Sequence, residues 1–140
     1  MPYSVDWYIQ DEIIYSRYFG ALTPDELREC LILTREFIES SPRESVHTIN
    51  DVSDVTESVA LLDSLPIIRE VGSHARVGWS FTLGEKSPLV KMGAAMGASV
   101  FKIRYKAFDT LDQVIEHLKF FDQNISWEKA DEAVIQGTKI

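Results

Sequence analysis

The chain has 140 residues, 45% hydrophobic and 26% charged, enough for one domain with a real core and too few for two comfortable ones. A net charge of −8 and a pI near 4.8 argue against nucleic acid and anionic membranes as partners, because their binders carry basic stripes. A single cysteine excludes an intramolecular disulfide or a cysteine-clustered zinc site. No apolar run reaches the ~18 residues of a membrane span, and Met1 to Asp6 lacks the character of a signal segment, so a soluble cytoplasmic protein is expected.

Tyr3, Val5, Trp7 and Ile9 alternate with Ser4, Asp6, Tyr8 and Gln10, which predicts a strand with one face on the core. A turn at Asp11-Glu12 leads into a second strand over Ile13 to Phe19, an antiparallel hairpin ended by Gly20. Thr23-Pro24-Asp25-Glu26 is a capping box with proline at the first helical position. Leu27, Cys30, Leu31, Thr34, Phe37 and Ile38 then fall on one helical face, so Cys30 reads as a core thiol, and Ser40-Ser41-Pro42 stops the helix.

A third strand over His47 to Asp51 is expected to end in a turn rich in carboxylates and hydroxyls, with a helix starting near Ser64 because Pro66 suits a first turn. Val77, Trp79 and Phe81 alternate with Gly78, Ser80 and Thr82, a fourth strand with one face of small groups. Ser87-Pro88 opens a helix through about Ser99 that is rich in Gly and Ala. Phe101, Ile103 and Tyr105 alternate with Lys102, Arg104 and Lys106, as in an edge strand with a wet, basic face. Leu111, Val114, Ile115, Leu118 and Phe121 form the stripe of a last helix capped by Asp109 or Thr110. The domain is placed at residues 1–124, with 125–140 a tail that Trp127 anchors locally and that reads as a loose helix, a partner-binding arm or a disordered end.

The element order predicts one α/β domain: a four- or five-stranded mixed sheet, largely parallel with an antiparallel edge, and helices mainly on one face. This order, the hairpin opening, Asp51 with its hydroxyl neighbours and the closing helix Leu111 to Phe121 resemble the STAS-like, SpoIIAA-like domains of anti-sigma-factor antagonists. The likeness covers about Tyr3 to Phe121. In that family the turn after the third strand carries a phosphorylated serine, usually within Asp-Ser-x-Gly. Here the corresponding text is Asp51-Val52-Ser53-Asp54-Val55-Thr56-Glu57-Ser58, which lacks that motif and sets Ser53 between two carboxylates.

No catalytic constellation can be assembled. The carboxylates Asp51, Asp54 and Glu57 do not follow the calcium-loop ladder, Gly84-Glu85-Lys86-Ser87 departs from a phosphate loop, and no Gly-x-Ser-x-Gly elbow occurs. His47 is expected on the same strand face as Ile49 and Asp51 as a hydrogen-bonded structural residue, with His74 and His117 at the surface. The expectation is therefore a non-catalytic, cofactor-free and metal-free interaction module. It would bind a protein partner through Asp51, Ser53, Asp54, Thr56 and Ser58 and the adjacent helix. The alternative is a small-ligand or lipid-binding domain with a pocket between helices and sheet near Trp79, Phe81 and the small-residue helix. A homodimer is expected on the Gly93/Gly97 helix face, the small-residue face of the fourth strand, or the tail from Trp127.

Overall fold

Five strands form one mixed sheet in the order β1-β2-β3-β4-β5: β1 (Tyr3–Ile9), β2 (Ile13–Ala21), β3 (Val46–Glu57), β4 (Val77–Leu83) and β5 (Arg104–Phe108). The β1–β2 hairpin is antiparallel and every later pairing is parallel. The computed structural model describes residues 3–72 and 74–136. Between the strands run α1 (Pro24–Ser40), α2 (Leu61–Ile67) and α3 (Pro88–Val100), followed by α4 (Leu111–Phe121) and a short α5 (Glu132–Gln136).

Local chemistry sets most of the helix starts. Thr23 and Thr110 each close a capping box, with Glu26 and Gln113, and Ser87 accepts the Val90 amide ahead of Pro88. At its other end α1 has no basic residue in its last turn. Arg76 fills that role from a distance, donating to Ile38 O at 2.8 Å and Ser41 O at 2.7 Å.

Helices α1, α2 and α3 lie on one face of the sheet, and α4 with the segment after it covers the other. The α4 side holds the larger core, where Ile13, Ile49, Phe81, Val114 and Leu118 are fully buried. On the α1 side Trp7, Ile14, Ile38 and Val46 form one cluster, and Tyr3, Tyr18 and Cys30 another. The sheet centre on this side is polar. Thr48, Asn50 and Ser80 face a cavity of about 60 Å³ that Leu31 and Ile103 also line, room enough for water. Leu31 and Ile103, read from sequence as core, are therefore only half-buried.

Three expectations give way to long-range pairing. Strand β3 does not stop at Asp51: Arg17, Phe19, Gly20 and Ala21 of β2 continue to pair with it as far as Glu57, so the expected turn is the second half of a strand. Strand β4 carries one extra residue, because Val46 pairs with Val77 but Thr48 with Ser80. Val77 thus packs on the α1 side while Trp79 turns to the α4 side. The last strand begins only at Arg104, after Lys102 has taken φ 57°, and its basic residues alternate on the face that α4 covers.

The segment after α4 is not free of the domain. Ile125 is buried, and Trp127, Ala130, Val134 and Ile135 pack against the α4-side core. Asp131 N–H donates to Tyr8 O at 2.8 Å, and Ser126 N–H to Glu12 Oε1 at 2.8 Å. The tail expected over residues 125–140 therefore closes the sheet near β1 as far as it is described, and residues 137–140 lie outside the described residues.

These burials rank two truncations. Leu118→Ala should lower the unfolding free energy by roughly 2 to 5 kcal/mol in denaturant melts, and Leu31→Ala, half-exposed beside the cavity, by well under half of that. Equal losses would mean that α1 packs more tightly than its contacts indicate.

Candidate functional site

The residues singled out by sequence are mostly engaged inside the protein. Tyr15 Oη donates to Asp51 Oδ2 at 2.5 Å, and Ser53 donates to Asp51 Oδ1 through its amide at 3.0 Å and its hydroxyl at 2.5 Å. Burial, reinforced by that hydrogen bond to a carboxylate, pushes the Tyr15 phenol well above its ordinary pKa, so it remains a donor. Arg17, itself buried, donates through Nε to Asp54 Oδ2 at 3.1 Å, engages the same oxygen through Nη2, and reaches Ile135 O at 3.3 Å. Gly84, at φ +79°, presses its backbone against Ser53, where a Cβ would collide. The arrangement joins β2, β3 and the C-terminal segment. It uses Asp51, Ser53 and Asp54 as structural groups and leaves Thr56 and Ser58 exposed.

A second polar cluster occupies the opposite edge of the sheet. His47 Nδ1 accepts the Trp79 amide at 2.9 Å, which leaves the ring proton on Nε2 to be donated to Asp122 Oδ2 at 2.8 Å. Arg43 lies 3.4 Å from the same oxygen and 3.0 Å from Glu12 Oε1. His47 is thus the hydrogen-bonded structural histidine that its alternation with Ile49 suggested. His117, expected at the surface, sits instead in an aromatic surround, with ring centroids of Trp79 and Phe121 each at 4.5 Å and Phe81 at 5.4 Å. Tyr15 of the first cluster borders a surface cavity of about 320 Å³ that Ser4, Val5, Asp6, Asp131, Ala133 and Val134 also line.

A larger and more apolar cavity lies elsewhere. Helices α2 and α3 both start beyond the carboxyl ends of parallel strands, β3 and β4, where ligands collect in α/β sheets. Between them runs a groove of about 550 Å³, with Leu65 and Ile68 on one wall and Leu89, Val90, Met92 and Met96 on the other. Gly93, Ala94 and Gly97 lie along it, and Ser58, Val59, Ala60 and Ser64 complete the lining. No charged side chain lines it. The small residues explain its shape: at Gly97 a Cβ would already stand 3.3 Å from Leu65 Cδ2, so larger residues would fill the space.

Sequence reasoning found the helix and its small residues but assigned the pocket to Trp79 and Phe81. These two rings belong to the other face of the sheet, because the extra residue in β4 sends Trp79 toward α4. Helix α2 also begins three residues ahead of the Ser64 start that Pro66 suggests. It starts at Leu61 with Pro66 inside it and passes into a π-helical turn over Ile68–Gly72. That earlier start brings Val59 and Ala60 to the groove. Of the five residues proposed from sequence, Ser58 alone lines it.

No family model matches the chain, and no curated protein matches it in sequence. Among solved structures it is similar to an uncharacterized protein of the DUF3478 family with a SpoIIAA-like fold, from Shewanella loihica PV-4. The TM-score is 0.61 at 14% identity, covering 83% of this chain and 93% of that one. The chain therefore has a SpoIIAA-like fold, as its element order suggested. A likeness at this identity carries the fold and no activity.

The His47 cluster makes stability depend on pH in one direction. Burial, with the charges of Arg43 and Arg104, holds the His47 pKa below 6.5 against the pull of Asp122, and burial lowers that of His117. The hydrogen bonds from His47 and Asn124 and the nearby charges outweigh desolvation to hold Asp122 below 3.8. As pH falls through 6.5 the unfolded chain takes up histidine protons that the folded chain refuses, so stability should fall across that window. It should fall further as Asp122 is protonated at lower pH. Urea melts between pH 7.5 and 5 should show the decline. His47→Gln should flatten part of it, and an unchanged slope in that variant would exclude His47 as a source.

Proposed function

We propose that this protein is a non-catalytic binding module that holds the apolar part of a small ligand, such as an acyl chain, in the groove between α2 and α3. The observation that supports this most is the groove itself. At about 550 Å³ it falls within the range of small-molecule sites, and aliphatic and thioether side chains wall it. Methionine suits such a role, because its flexible polarizable side chain adapts to ligands of differing shape. Ser58 at the lining places a hydroxyl where the polar end of a ligand would lie.

Binding of a protein partner through Asp51 to Ser58 has less to stand on. Asp51, Ser53 and Asp54 are committed to Tyr15, to one another and to Arg17, and a partner would have to replace bonds already made. Among the described residues the groove lining offers aliphatic, thioether and hydroxyl groups and no paired nucleophile and base, which favours binding over turnover.

A fluorescent fatty-acid analogue should bind the full chain and be displaced by unlabelled long-chain fatty acid. Saturation at 100 times the dissociation constant corresponds to about 2.7 kcal/mol of added stability, seen as a raised unfolding midpoint. Ala94→Phe, which projects a ring into the groove, should abolish displaceable binding while leaving the unfolding midpoint within a few degrees. Undiminished binding in that variant would remove the groove from consideration.

A further inference from the structure

The groove is open along α3, and the apolar stripe that borders it is left largely uncovered, which a helix covering a sheet does not require. Leu89, Met92, Met96 and Val100 fall at spacings of three and four, one stripe along the 13-residue helix, and are 74%, 56%, 63% and 72% exposed. Leu62 of the adjacent α2 is 82% exposed. A contiguous apolar surface of this kind marks an interaction site.

Charge distribution indicates what covers it. From Lys86 to Phe108 the chain holds five of its 14 Lys and Arg residues and none of its 22 Asp and Glu residues. Lys86 stands immediately before the α3 cap and Lys102 just beyond its end, both exposed, and Lys91 lies within the helix. Arg104 and Lys106 continue the positive edge along β5, from the opposite face of that strand. Acidic neighbours are Glu85 ahead of Lys86, Asp109 within 3.6 Å of Lys91, and Asp63 beside Leu62 on α2. An apolar stripe with lysines at both ends matches the boundary between headgroups and acyl chains of an anionic lipid surface. A second copy fits less well, since a two-fold contact through α3 would set a positively charged rim against itself.

We infer that α3 docks the protein onto anionic lipid surfaces, with Leu89, Met92, Met96 and Val100 inserted at the headgroup boundary and Lys86 and Lys102 against the headgroups. Within the segment itself no acidic residue offsets the lysines, and Glu85 and Asp109 at its two ends neutralise only part of its charge. This inference goes beyond ligand binding in the groove and does not depend on it. Leu89, Met92 and Met96 border the groove as well, whereas Val100, Lys86 and Lys102 do not, so the lipid contact extends along α3 beyond the ligand contact.

The test is sedimentation of the full chain with vesicles of phosphatidylcholine alone or with about a third phosphatidylserine. Pelleting is expected with the mixed vesicles, about tenfold or more weaker with phosphatidylcholine alone, and reduced by added salt. Leu89→Glu and Met96→Glu, at exposed positions, should abolish it with the unfolding midpoint retained, and Lys86→Glu with Lys102→Glu should weaken it about tenfold or more. Ala94→Phe, which fills the groove, should leave vesicle binding intact, so that failure of the ligand reading and failure of the lipid reading give different results. Absence of pelleting with either vesicle, or pelleting indifferent to Met96→Glu, overturns the inference. A dimer mass by light scattering that becomes monomeric in Met96→Glu, without vesicle binding, overturns it too and assigns the face to a second copy.

Discussion

The amino edge of the sheet depends on where one histidine ring spends its two nitrogens. His47 takes the Trp79 amide on Nδ1 and gives Nε2–H to Asp122, the residue that closes α4. The first bond satisfies an amide that the bulge in β4 would otherwise leave unpaired next to a buried core. Gly78 makes the bulge possible, since a Cβ there would stand 2.6 Å from His47 Nδ1. Through Asp122 the same ring fixes the end of α4, whose Val114 and Leu118 fill the main core. Arg43 and Glu12 extend the network to the hairpin turn and, by way of Ser126, to the C-terminal segment. Removal of His47 would leave the Trp79 amide without its acceptor and take one donor from the half-buried Asp122 carboxylate, and an unmet backbone donor costs more than the bond itself contributes.

Features decided by near neighbours in sequence were legible. The hairpin, the capped starts of α1 and α4, the apolar stripe of α1 with buried Cys30 and Ile38, and the order of elements follow from patterns a few residues long. Features decided by partners far along the chain were not. A run such as Asp-Val-Ser-Asp-Val-Thr-Glu reads as a turn because its side chains compete with backbone bonds. It stays extended here because Tyr15 and Arg17, more than 30 residues earlier, satisfy those side chains from β2. A bulge leaves no periodic signature beyond its glycine, so the faces of Val77 and Trp79 could not be separated by alternation alone.

Composition misdirects in a related way. Net charge is an average over the surface, while a docking surface responds to the charges within about a Debye length of it. In this chain five basic and no acidic residues fall between Lys86 and Phe108, the segment that holds the exposed apolar stripe of α3. That coincidence is what an average over 140 residues conceals.

The two edges of the sheet are built for opposite ends. At the amino edge buried ion pairs and hydrogen bonds admit a single arrangement, since any shift would leave charged groups unpaired in a medium of low dielectric. At the carboxyl edge α2 and α3 meet through methyl, methylene and thioether groups, whose contacts are individually weak and do not depend on direction. Gly93 and Gly97 lower the helical preference of α3 by roughly 1 kcal/mol each, and Pro66 and the π-helical turn after it interrupt the regular ladder beside α2. A domain selected for stability alone would carry neither feature there. Both weaken the regular helical ladder at this edge, and on the proposed reading that leaves α2 and α3 room to adjust to an apolar guest while the hydrogen-bonded edge holds the sheet.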